Sequence, residues 1–383
     1  MTKALVLTEN FPPIDGGSGR WFWELYSRLS RGDYLIMAHT EDGAEEFDRT
    51  HDLNVIRYPL RNPEWGLKSL SGLKFYWRSL MALKKQVKAH DVKIVHCGRV
   101  IHEGVTAWLL NLLTGTPYLC YVHGEDVETA ATSREQAMLV KQVCKRASVL
   151  VCNSENSKNL VTSLGFAEDS KCVVLHPGVD ESRFSVAPPD NEFRRQMGWE
   201  NKHVLLTVGR LQQRKGQDMM IQAMPDILKQ YPNIHYVVVG RGDSERMLRD
   251  LVASHELGQH VDIITDADDD MLIKLYQQCD TFILPNRTIG SDIEGFGMVL
   301  VEAQACGKPV IAGDSGGTRE TMKLHETGCI IDCSTPESVA NGVCESLTEI
   351  ARFTLPPAKF VDTNFTWRKH VEKARRLFAS LTN

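Results

Sequence analysis

The chain has 383 residues, 42% of them hydrophobic and 24% charged, and its 44 Lys and Arg against 49 Asp and Glu give a net charge of -5. This length predicts two to three domains of ordinary size or two larger ones, and the composition excludes wholesale disorder and a disulfide-stapled miniprotein. The negative charge excludes a general attraction to nucleic acid. We therefore expect no nucleic-acid partner, and any basic surface must be local.

The ten cysteines stand singly in apolar stretches, and the sequence contains no Cys-x-x-Cys pair. This pattern predicts reduced thiols in protein cores. The apolar run at the amino terminus is too short for a signal peptide, and no run reaches the roughly 18 apolar residues of a membrane span. We therefore predict a cytoplasmic protein.

Short β-branched apolar runs alternate with amphipathic stretches along the chain, which is typical of βαβ units around parallel sheets. We predict an α/β protein with two doubly wound, Rossmann-like domains. The strand candidates of the first half are residues 4–7, 34–38, 54–58, 93–97, 118–122, 148–152 and 172–175. Those of the second half are residues 204–208, 235–239, 261–264, 281–284, 309–312 and 328–331.

A polar segment with several Pro and Gly residues separates the two halves. We predict an amino-terminal domain over 1–180, a linker over 181–200 and a carboxyl-terminal domain over 201–355. A proline pair then precedes one more predicted helix, residues 365–383. This helix is expected to pack back on the first domain.

A glycine-rich turn follows the first predicted strand and opens a helix. Gly16, Gly17 and Gly19 leave the backbone unhindered beside free helix N–H groups, where an anion can approach. A tight strand-to-helix turn explains the same pattern equally well. The motif is neither G-x-G-x-x-G nor a Walker loop, which disfavours a dinucleotide dehydrogenase and a P-loop enzyme.

Two more motifs stand at predicted strand ends of the second half. Arg210 and Lys215 follow its first strand, at the sheet edge where ligands of such folds bind, and two cations suit a diphosphate. Glu294 lies in a glycine-rich loop, and Glu302 lies eight residues later in a helix predicted to begin near Met298. Free N–H groups at that helix start suit a phosphate, and Glu302 can accept hydrogen bonds from a ribose. The structural alternatives are a solvated basic turn, a surface carboxylate and a helix cap.

These motifs together resemble the retaining glycosyltransferases of family GT4, which have the GT-B fold of two Rossmann-like domains facing across a cleft. The resemblance covers nearly the whole chain. The residues that carry it are the Glu294 and Glu302 pair, Gly209-Arg210 to Lys215-Gly216, the linker motif 176–184, the strand 280–285 and the pair Gly316-Gly317.

The resemblance implies that the first domain serves the acceptor and that the second binds a nucleotide-sugar donor. Arg210 and Lys215 would bind the diphosphate, Glu302 the ribose, and Glu294 the donor sugar. The implied donor-binding residues are Gly16, Gly17, Arg210, Lys215, Glu294, Gly295, Phe296, Gly297, Met298, Val299 and Glu302.

The segment 121–126 resembles the family's His-Gly-x-Asp motif after a first-domain strand. By this resemblance His123 lies beside the sugar near the reacting carbon, whereas a core histidine at a strand end is the structural alternative. The implied catalytic residues are His123, Glu294, Arg210 and Lys215.

Two other motifs suggest different chemistry. A Gly-x-Ser-x-Gly motif surrounds Ser315, as in hydrolases, but only His325 and His370 follow it, and neither has a recognisable triad setting. The aspartate-rich residues 266–270 resemble a metal-binding Asp-x-Asp, although a helix cap explains them better. We therefore expect no metal and no cofactor.

Residues 61–93 form a local basic segment with eight Lys or Arg against the two acids Glu64 and Asp91. A helix that contacts an anionic membrane and an ordinary sheet-covering helix both fit it. The first interpretation predicts a peripheral protein at the inner face of a membrane. The apolar stripe of the segment is Leu73, Tyr76, Trp77, Leu80, Leu83 and Val87, with Trp65, Phe75 and Met81 off the stripe.

The predicted function is transfer of a hexose, with retention and without metal, from a nucleoside diphosphate sugar to a hydroxyl acceptor. The loop 286–294 resembles that of phosphatidylinositol mannoside mannosyltransferases, which suggests GDP-mannose, with a UDP-sugar as the alternative donor. Lipid-linked glycan, polysaccharide and glycolipid synthesis all remain open for the acceptor, as does the oligomeric state. The alternative functions are another GT-B enzyme, such as a nucleotide-sugar epimerase, and a non-catalytic sugar-nucleotide-binding protein.

Overall fold

The computed structural model describes residues 3–14, 16–62 and 66–381, so Glu64 and Trp65 of the basic segment lie outside the described residues. The chain divides into two compact units. Unit 1 comprises Met1–Pro177 and Trp367–Asn383, and unit 2 comprises Gly178–Thr366.

Unit 1 contains a seven-stranded parallel sheet in the order β3-β2-β1-β4-β5-β6-β7. Its strands are β1 Ala4–Thr8, β2 Tyr34–His39, β3 Val55–Tyr58, β4 Ile94–Cys97, β5 Tyr118–Val122, β6 Leu150–Cys152 and β7 Cys172–Val174. Its first helices are α1 Gly17–Tyr26, α2 Ala44–Thr50, α3 Leu70–Ala89, α4 Glu103–Thr114, α5 Glu125–Ala131, α6 Arg134–Arg146 and α7 Glu155–Ser163.

Both faces of this sheet are buried. Along β1, Leu5 and Leu7 point into one hydrophobic core, and Val6 points into the other, which also contains Trp21. Strands covered on both faces read as continuous apolar runs, because alternate residues enter different cores. This is why short apolar runs in the sequence predict these strands.

Unit 2 contains a six-stranded parallel sheet in the order β10-β9-β8-β11-β12-β13. Its strands are β8 His203–Val208, β9 Ile234–Val239, β10 Val261–Ile264, β11 Thr281–Leu284, β12 Val310–Gly313 and β13 Gly328–Ile331. Its helices are α8 Asn191–Gln196, α9 Gln217–Gln230, α10 Glu245–Ser254, α11 Asp269–Gln278, α12 Met298–Ala305, α13 Pro336–Ile350 and α14 Pro357–Asn364. The two-sheet α/β architecture matches the predicted fold class.

The segment predicted as a linker, 181–200, is part of unit 2. It contains α8, and both Phe184 and Trp199 are buried in the core that covers one face of the sheet. The polar and proline-rich composition of the segment predicts a linker, but these two aromatic side chains anchor it to the core of unit 2.

The last helix, α15 Trp367–Ser380, belongs to unit 1. Trp367, Val371 and Ala374 enter the same core as Trp21, because residues spaced by three and four share one helix face. The indole Nε1 of Trp21 donates a hydrogen bond to Nε2 of His370, 3.0 Å away.

In each sheet the strand order reverses once, between β1 and β4 in unit 1 and between β8 and β11 in unit 2. Ligands of open α/β sheets bind beyond the carboxyl ends of strands at such switch points. None of the helices in the described part of the chain is both long enough and apolar enough to cross a membrane.

Candidate functional site

Three loops meet at the carboxyl edge of the unit 2 sheet, after β8, β11 and β12. Gly216 has a φ of 74°, and a Cβ there would lie 1.7 Å from the carbonyl oxygen of Pro285. Gly316 has a φ of 60°, and a Cβ there would lie 1.8 Å from the carbonyl oxygen of Glu294. Only glycine permits both the left-handed backbone and these approaches, so the loops can close on one another.

The centre of the site is a cluster of charges around Glu294. Its Oε2 accepts a hydrogen bond from Nζ of Lys215 at 2.5 Å and another from Nη1 of Arg214 at 2.7 Å. Nε of Arg214 also pairs with Oδ1 of Asp292 at 2.7 Å. The structure thus joins two residues predicted from the sequence, Lys215 and Glu294, and adds Arg214.

Glu294 is an ionised acceptor although only 8% of the residue is exposed. Burial by itself raises the pKa of its carboxyl, but the charges of Lys215 and Arg214 and their hydrogen bonds outweigh burial and hold this pKa below its usual value. A buried carboxylate that cannot donate a hydrogen bond suits a ligand rich in hydroxyl groups.

Arg210 precedes this cluster on the loop after β8. Its carbonyl accepts a hydrogen bond from Nε2 of the buried Gln217 at 3.1 Å, which fixes the backbone, while the residue itself is exposed. An exposed guanidinium on a fixed backbone can pair with a phosphate.

The helix that carries Glu302 begins as predicted, with α12 starting at Met298. Gly297 precedes it in the left-handed region, with a φ of 92°. The N–H of Leu300 donates to the carbonyl of Gly297 at 3.0 Å, whereas the N–H groups that begin a helix otherwise lack acceptors within it, so this end attracts anions. Glu302 itself is buried, and its Oε2 accepts a hydrogen bond from the hydroxyl of Tyr276 at 2.9 Å.

A second ion pair, which the sequence did not reveal, fixes the loop after β11. Nη1 and Nη2 of Arg287 donate to Oδ1 and Oδ2 of Asp218, both at 2.8 Å. The backbone N–H of Arg287 also donates to the carbonyl of Arg214 at 2.9 Å. The forked pair therefore ties the loop of Glu294 to the helix that follows Lys215. Its partners are 69 residues apart, so no local pattern identifies them.

In unit 1 the predicted glycine turn lies at the start of α1. A Cβ added at Gly16 or Gly17 would meet no atom within 4 Å, so the packing of this unit does not itself require glycine there. The open backbone is compatible with a bound anion, and this role stays a prediction. Nδ2 of Asn10 donates to Oγ of Ser18 at 3.2 Å, which joins the end of β1 to the first turn of the helix.

His123 lies at the end of β5 and is only 6% exposed. Its Nε2 lies 2.9 Å from the carbonyl oxygen of Gly98, an atom that only accepts, so we assign the ring proton to Nε2. Burial lowers the pKa of the imidazole, against the opposing charge of Asp126, and the ring is neutral. Trp21 and Phe22 hold it edge-on, with centroids 5.4 and 5.8 Å away. Its place beside a sugar stays a prediction.

A buried charged cluster near His123 also has no local signal in the sequence. Oε1 of Glu103 accepts the backbone N–H of Glu9 at 2.9 Å, and burial raises the pKa of Glu103 to about 7 even though Arg99 lowers it. Arg99 in turn lies 3.5 Å from Oε1 of Glu125. These groups follow β1, β4 and β5 at the carboxyl edge of the sheet.

The Gly-x-Ser-x-Gly motif around Ser315 and the aspartate-rich residues 266–270 have structural roles. Oγ of Ser315 lies 3.0 Å from Oγ1 of Thr288, whereas His325 is exposed and pairs with Glu349. Oδ1 of Asp268 accepts the N–H of Met271 at 2.8 Å and caps α11. Among the described residues, no group of three or more His, Cys, Asp or Glu side chains is arranged to hold a metal ion.

The stripe predicted along α3 is buried along one side and exposed along the other. Tyr76, Leu80 and Leu83 are buried in the core of unit 1. Leu73 and Trp77, which adjoin this buried row at helical spacing, are 49% and 63% exposed. The predicted stripe is therefore wider than the face that the core buries.

Two family models match the chain. The model described as Glycosyltransferase Family 4 matches residues 15–183, and the model described as Glycosyl transferases group 1 matches residues 189–350.

Two curated relatives cover almost the full length of the chain. The GDP-mannose-dependent alpha-(1-6)-phosphatidylinositol monomannoside mannosyltransferase of Mycobacterium tuberculosis is 29% identical over 358 residues, covering 91% of this chain and 90% of its own. The GDP-mannose-dependent monoacylated alpha-(1-6)-phosphatidylinositol monomannoside mannosyltransferase of Corynebacterium glutamicum is 27% identical over 396 residues, covering 99% and 98%.

Solved structures match both units. Anabaena HepE in complex with UDP has a TM-score of 0.82 at 19% identity and covers 99% of this chain and 100% of its own. Sucrose-phosphate synthase from Thermosynechococcus elongatus has a TM-score of 0.78 at 20% identity and covers 100% of this chain and 99% of its own. At these identities the likeness establishes the fold, which is GT-B as predicted.

Proposed function

Because the chain belongs to the group 1 glycosyl transferases of family 4, we propose that it transfers a hexose from a nucleoside diphosphate sugar to a hydroxyl acceptor, with retention and without metal. The observation that carries the proposal is the cluster of Lys215, Arg214 and Glu294 at the carboxyl edge of β8 and β11. It places cations for a diphosphate next to an ionised acceptor for sugar hydroxyls.

The donor roles follow from charge and exposure. Lys215, the exposed Arg210 and the N–H groups that begin α12 bind the diphosphate, because all of them are positive or partly positive. Glu294, held ionised by its neighbours, accepts the sugar hydroxyls. Glu302, whose Oε2 already accepts a hydrogen bond from Tyr276, accepts the ribose hydroxyls, because an ionised carboxylate only accepts and has two oxygens.

The same groups supply the chemistry. As the bond between the anomeric carbon and the phosphate oxygen breaks, negative charge develops on the leaving diphosphate, where Arg210 and Lys215 stabilise it. The acceptor hydroxyl attacks on the same face, and its proton passes to an oxygen of the leaving phosphate. Retention then needs no protein nucleophile. The cations neutralise the charge of the leaving diphosphate, which a metal ion does in other transferases.

GDP-mannose is the proposed donor. The support is that the mannosyltransferases of Mycobacterium tuberculosis and Corynebacterium glutamicum are GDP-mannose-dependent by name. A UDP-sugar is the second candidate, because HepE was crystallised with UDP and with UDP-glucose. Calorimetric titration with GDP, UDP and ADP distinguishes the two, since only the correct base adds to the binding of the diphosphate.

A lipid-linked acceptor is proposed on the same relatives, whose names specify phosphatidylinositol mannosides. We place the protein in the cytoplasm, attached peripherally to the inner face of a membrane through α3. This 20-residue helix contains no acid, and Leu70, Leu73 and Trp77 are exposed on it. Exposed apolar side chains flanked by cations suit an anionic lipid surface. The cations of the helix are Lys74, Arg78, Lys84, Lys85 and Lys88.

The test is transfer from labelled GDP-mannose and UDP-glucose to lipid extracts and simple glycosides, with the anomeric configuration of the product read by NMR. A product with inverted configuration contradicts the retaining proposal. An epimerised donor supports a nucleotide-sugar epimerase instead, and tight nucleotide binding without turnover supports a binding protein.

A further inference from the structure

Arg214 shares a single carboxylate oxygen with Lys215. Oε2 of Glu294 lies 2.7 Å from Nη1 of Arg214 and 2.5 Å from Nζ of Lys215, and the three side chains are only 11 to 12% exposed. One cation is enough to neutralise one carboxylate. Asp292, the other carboxylate that pairs with Arg214, is 51% exposed and depends little on this cation, so Arg214 can neutralise Glu294 when Lys215 has another partner.

The two cations are held to different degrees. Arg214 is anchored beyond Glu294, because its Nε pairs with Asp292 at 2.7 Å and its carbonyl accepts the N–H of Arg287 at 2.9 Å. A guanidinium also has a rigid fork that can serve two carboxylates at once. Lys215 carries a compact ammonium on a flexible four-carbon stem, which can turn from one anion to another.

We infer that Arg214 is a positioning residue, which keeps the Glu294 carboxylate charged and in place when Lys215 turns from it to the donor diphosphate. The inference rests on the proposed function, which assigns Lys215 to the diphosphate and Glu294 to the sugar. Without Arg214, the departure of Lys215 would leave a nearly buried carboxylate without a counter-charge. Such a group takes up a proton and then accepts sugar hydroxyls less well.

The remaining charges around Glu294 do not replace Arg214. Asp292, on the same loop, is negative and itself faces Arg214, and Arg210 is exposed on the loop after β8. The charged groups of the neighbouring elements are paired with one another, Asp218 with Arg287 and Asp314 with Arg319. The ionisation of Glu294 therefore depends on Lys215 and Arg214.

The experiment compares Arg214→Gln, Arg214→Lys and, as a matched control, Arg249→Gln, which changes an arginine exposed on α10. The carboxyl of Glu294 is titrated by NMR in 13C-glutamate-labelled protein saturated with GDP or UDP. Calorimetry gives the affinity for each free nucleotide, and kcat/KM for the donor is measured against pH.

For Arg214→Gln we expect the pKa of Glu294 to rise and the acid limb of kcat/KM to move to higher pH. Transfer should fall about 10-fold or more, while affinity for the free nucleotide stays within about twofold. Arg214→Lys should recover most of each effect, and the control should change none of them.

The inference is wrong if a folded Arg214→Gln protein keeps the pKa and the acid limb of the wild type. It is also wrong if nucleotide affinity falls as far as in Lys215→Ala, since Arg214 would then bind the diphosphate directly. If Arg214→Gln does not fold, the wild-type protein decides. The inference requires the pKa of Glu294 to stay below 4.5 when bound GDP or UDP has drawn Lys215 away, and a pKa that rises above 4.5 in the nucleotide complex contradicts it. The NMR and calorimetric readings need no turnover, so a wild-type protein without transferase activity refutes the proposed function separately.

Discussion

Replacing Glu294 by Gln tests the charge at the centre of the site, because the change keeps the size of the side chain and removes its negative charge. In the native protein Oε2 of Glu294 accepts hydrogen bonds from Lys215 at 2.5 Å and Arg214 at 2.7 Å. The variant leaves both cations without this counter-charge. It also leaves the donor sugar with a neutral acceptor.

The expected size of the effect follows from these contacts. A hydrogen bond to a charged group is worth about 1.5 to 3 kcal/mol, so losing one to the sugar lowers transfer by about 10- to 150-fold. Removing one partner of a buried ion pair costs about 3 to 5 kcal/mol of stability; because the amide oxygen still accepts and the site reaches solvent, we expect about 3 kcal/mol or less. Affinity for the free nucleoside diphosphate should persist, since Lys215 is released to bind it.

The pH dependence of stability has a definite sign. Burial raises the pKa of Glu294, but Lys215 and Arg214 outweigh it and hold this pKa below the ordinary value of 4.5. A carboxyl with a lowered pKa stabilises the folded state above pH 4.5, and this contribution is lost as the pH falls through the lowered value. Glu294→Gln should lack that part of the acid-induced loss of stability.

The assays are product formation from labelled donor, calorimetric affinity for free nucleotide, and unfolding by urea at several pH values. Ser315→Ala is the control, because Ser315 contacts Thr288 and has no role in the proposed chemistry. Transfer by Glu294→Gln within about threefold of wild type would refute this reasoning, and so would a collapse of nucleotide affinity in a folded variant.

Three further outcomes are expected. Asp218→Asn breaks the forked pair with Arg287 and should cost on the order of 3 kcal/mol in urea unfolding, and a loss below about 0.5 kcal/mol would show that the pair is unimportant. EDTA should leave transfer almost unchanged, because Lys and Arg take the diphosphate charge; activity lost in EDTA and restored by Mn2+ would contradict this. Trp77→Ala should weaken sedimentation with phosphatidylglycerol vesicles, and salt should weaken it too, since a surface charge is screened within about 8 Å at physiological ionic strength. The matched control is Leu164→Ala, which changes an exposed leucine at the end of another helix. Equal sedimentation of the wild type, Trp77→Ala and Leu164→Ala would contradict the proposed contact through α3.

The sequence by itself determined the two parallel sheets and the loops that carry the donor residues. Val204, Leu205 and Leu206 are all fully buried, but Leu205 belongs to a different core from its two neighbours. A strand packed on both faces appears as an unbroken apolar run, so each strand can be recognised locally. Glycines beside the charged residues likewise mark the turns that follow such strands.

Only the tertiary structure decided which side chains meet. Lys215 and Glu294 are 79 residues apart and Arg214 and Glu294 are 80 apart, yet the three share one oxygen atom. It also decided that Trp77 lies outside the core although Tyr76, its neighbour on the same predicted stripe, lies inside. Hydrophobic pattern and glycine placement act within a few residues and can be read along the chain. Ion pairing and burial depend on which loops the sheet brings to one edge and on which helix face meets it, and those are set by packing between segments distant in sequence.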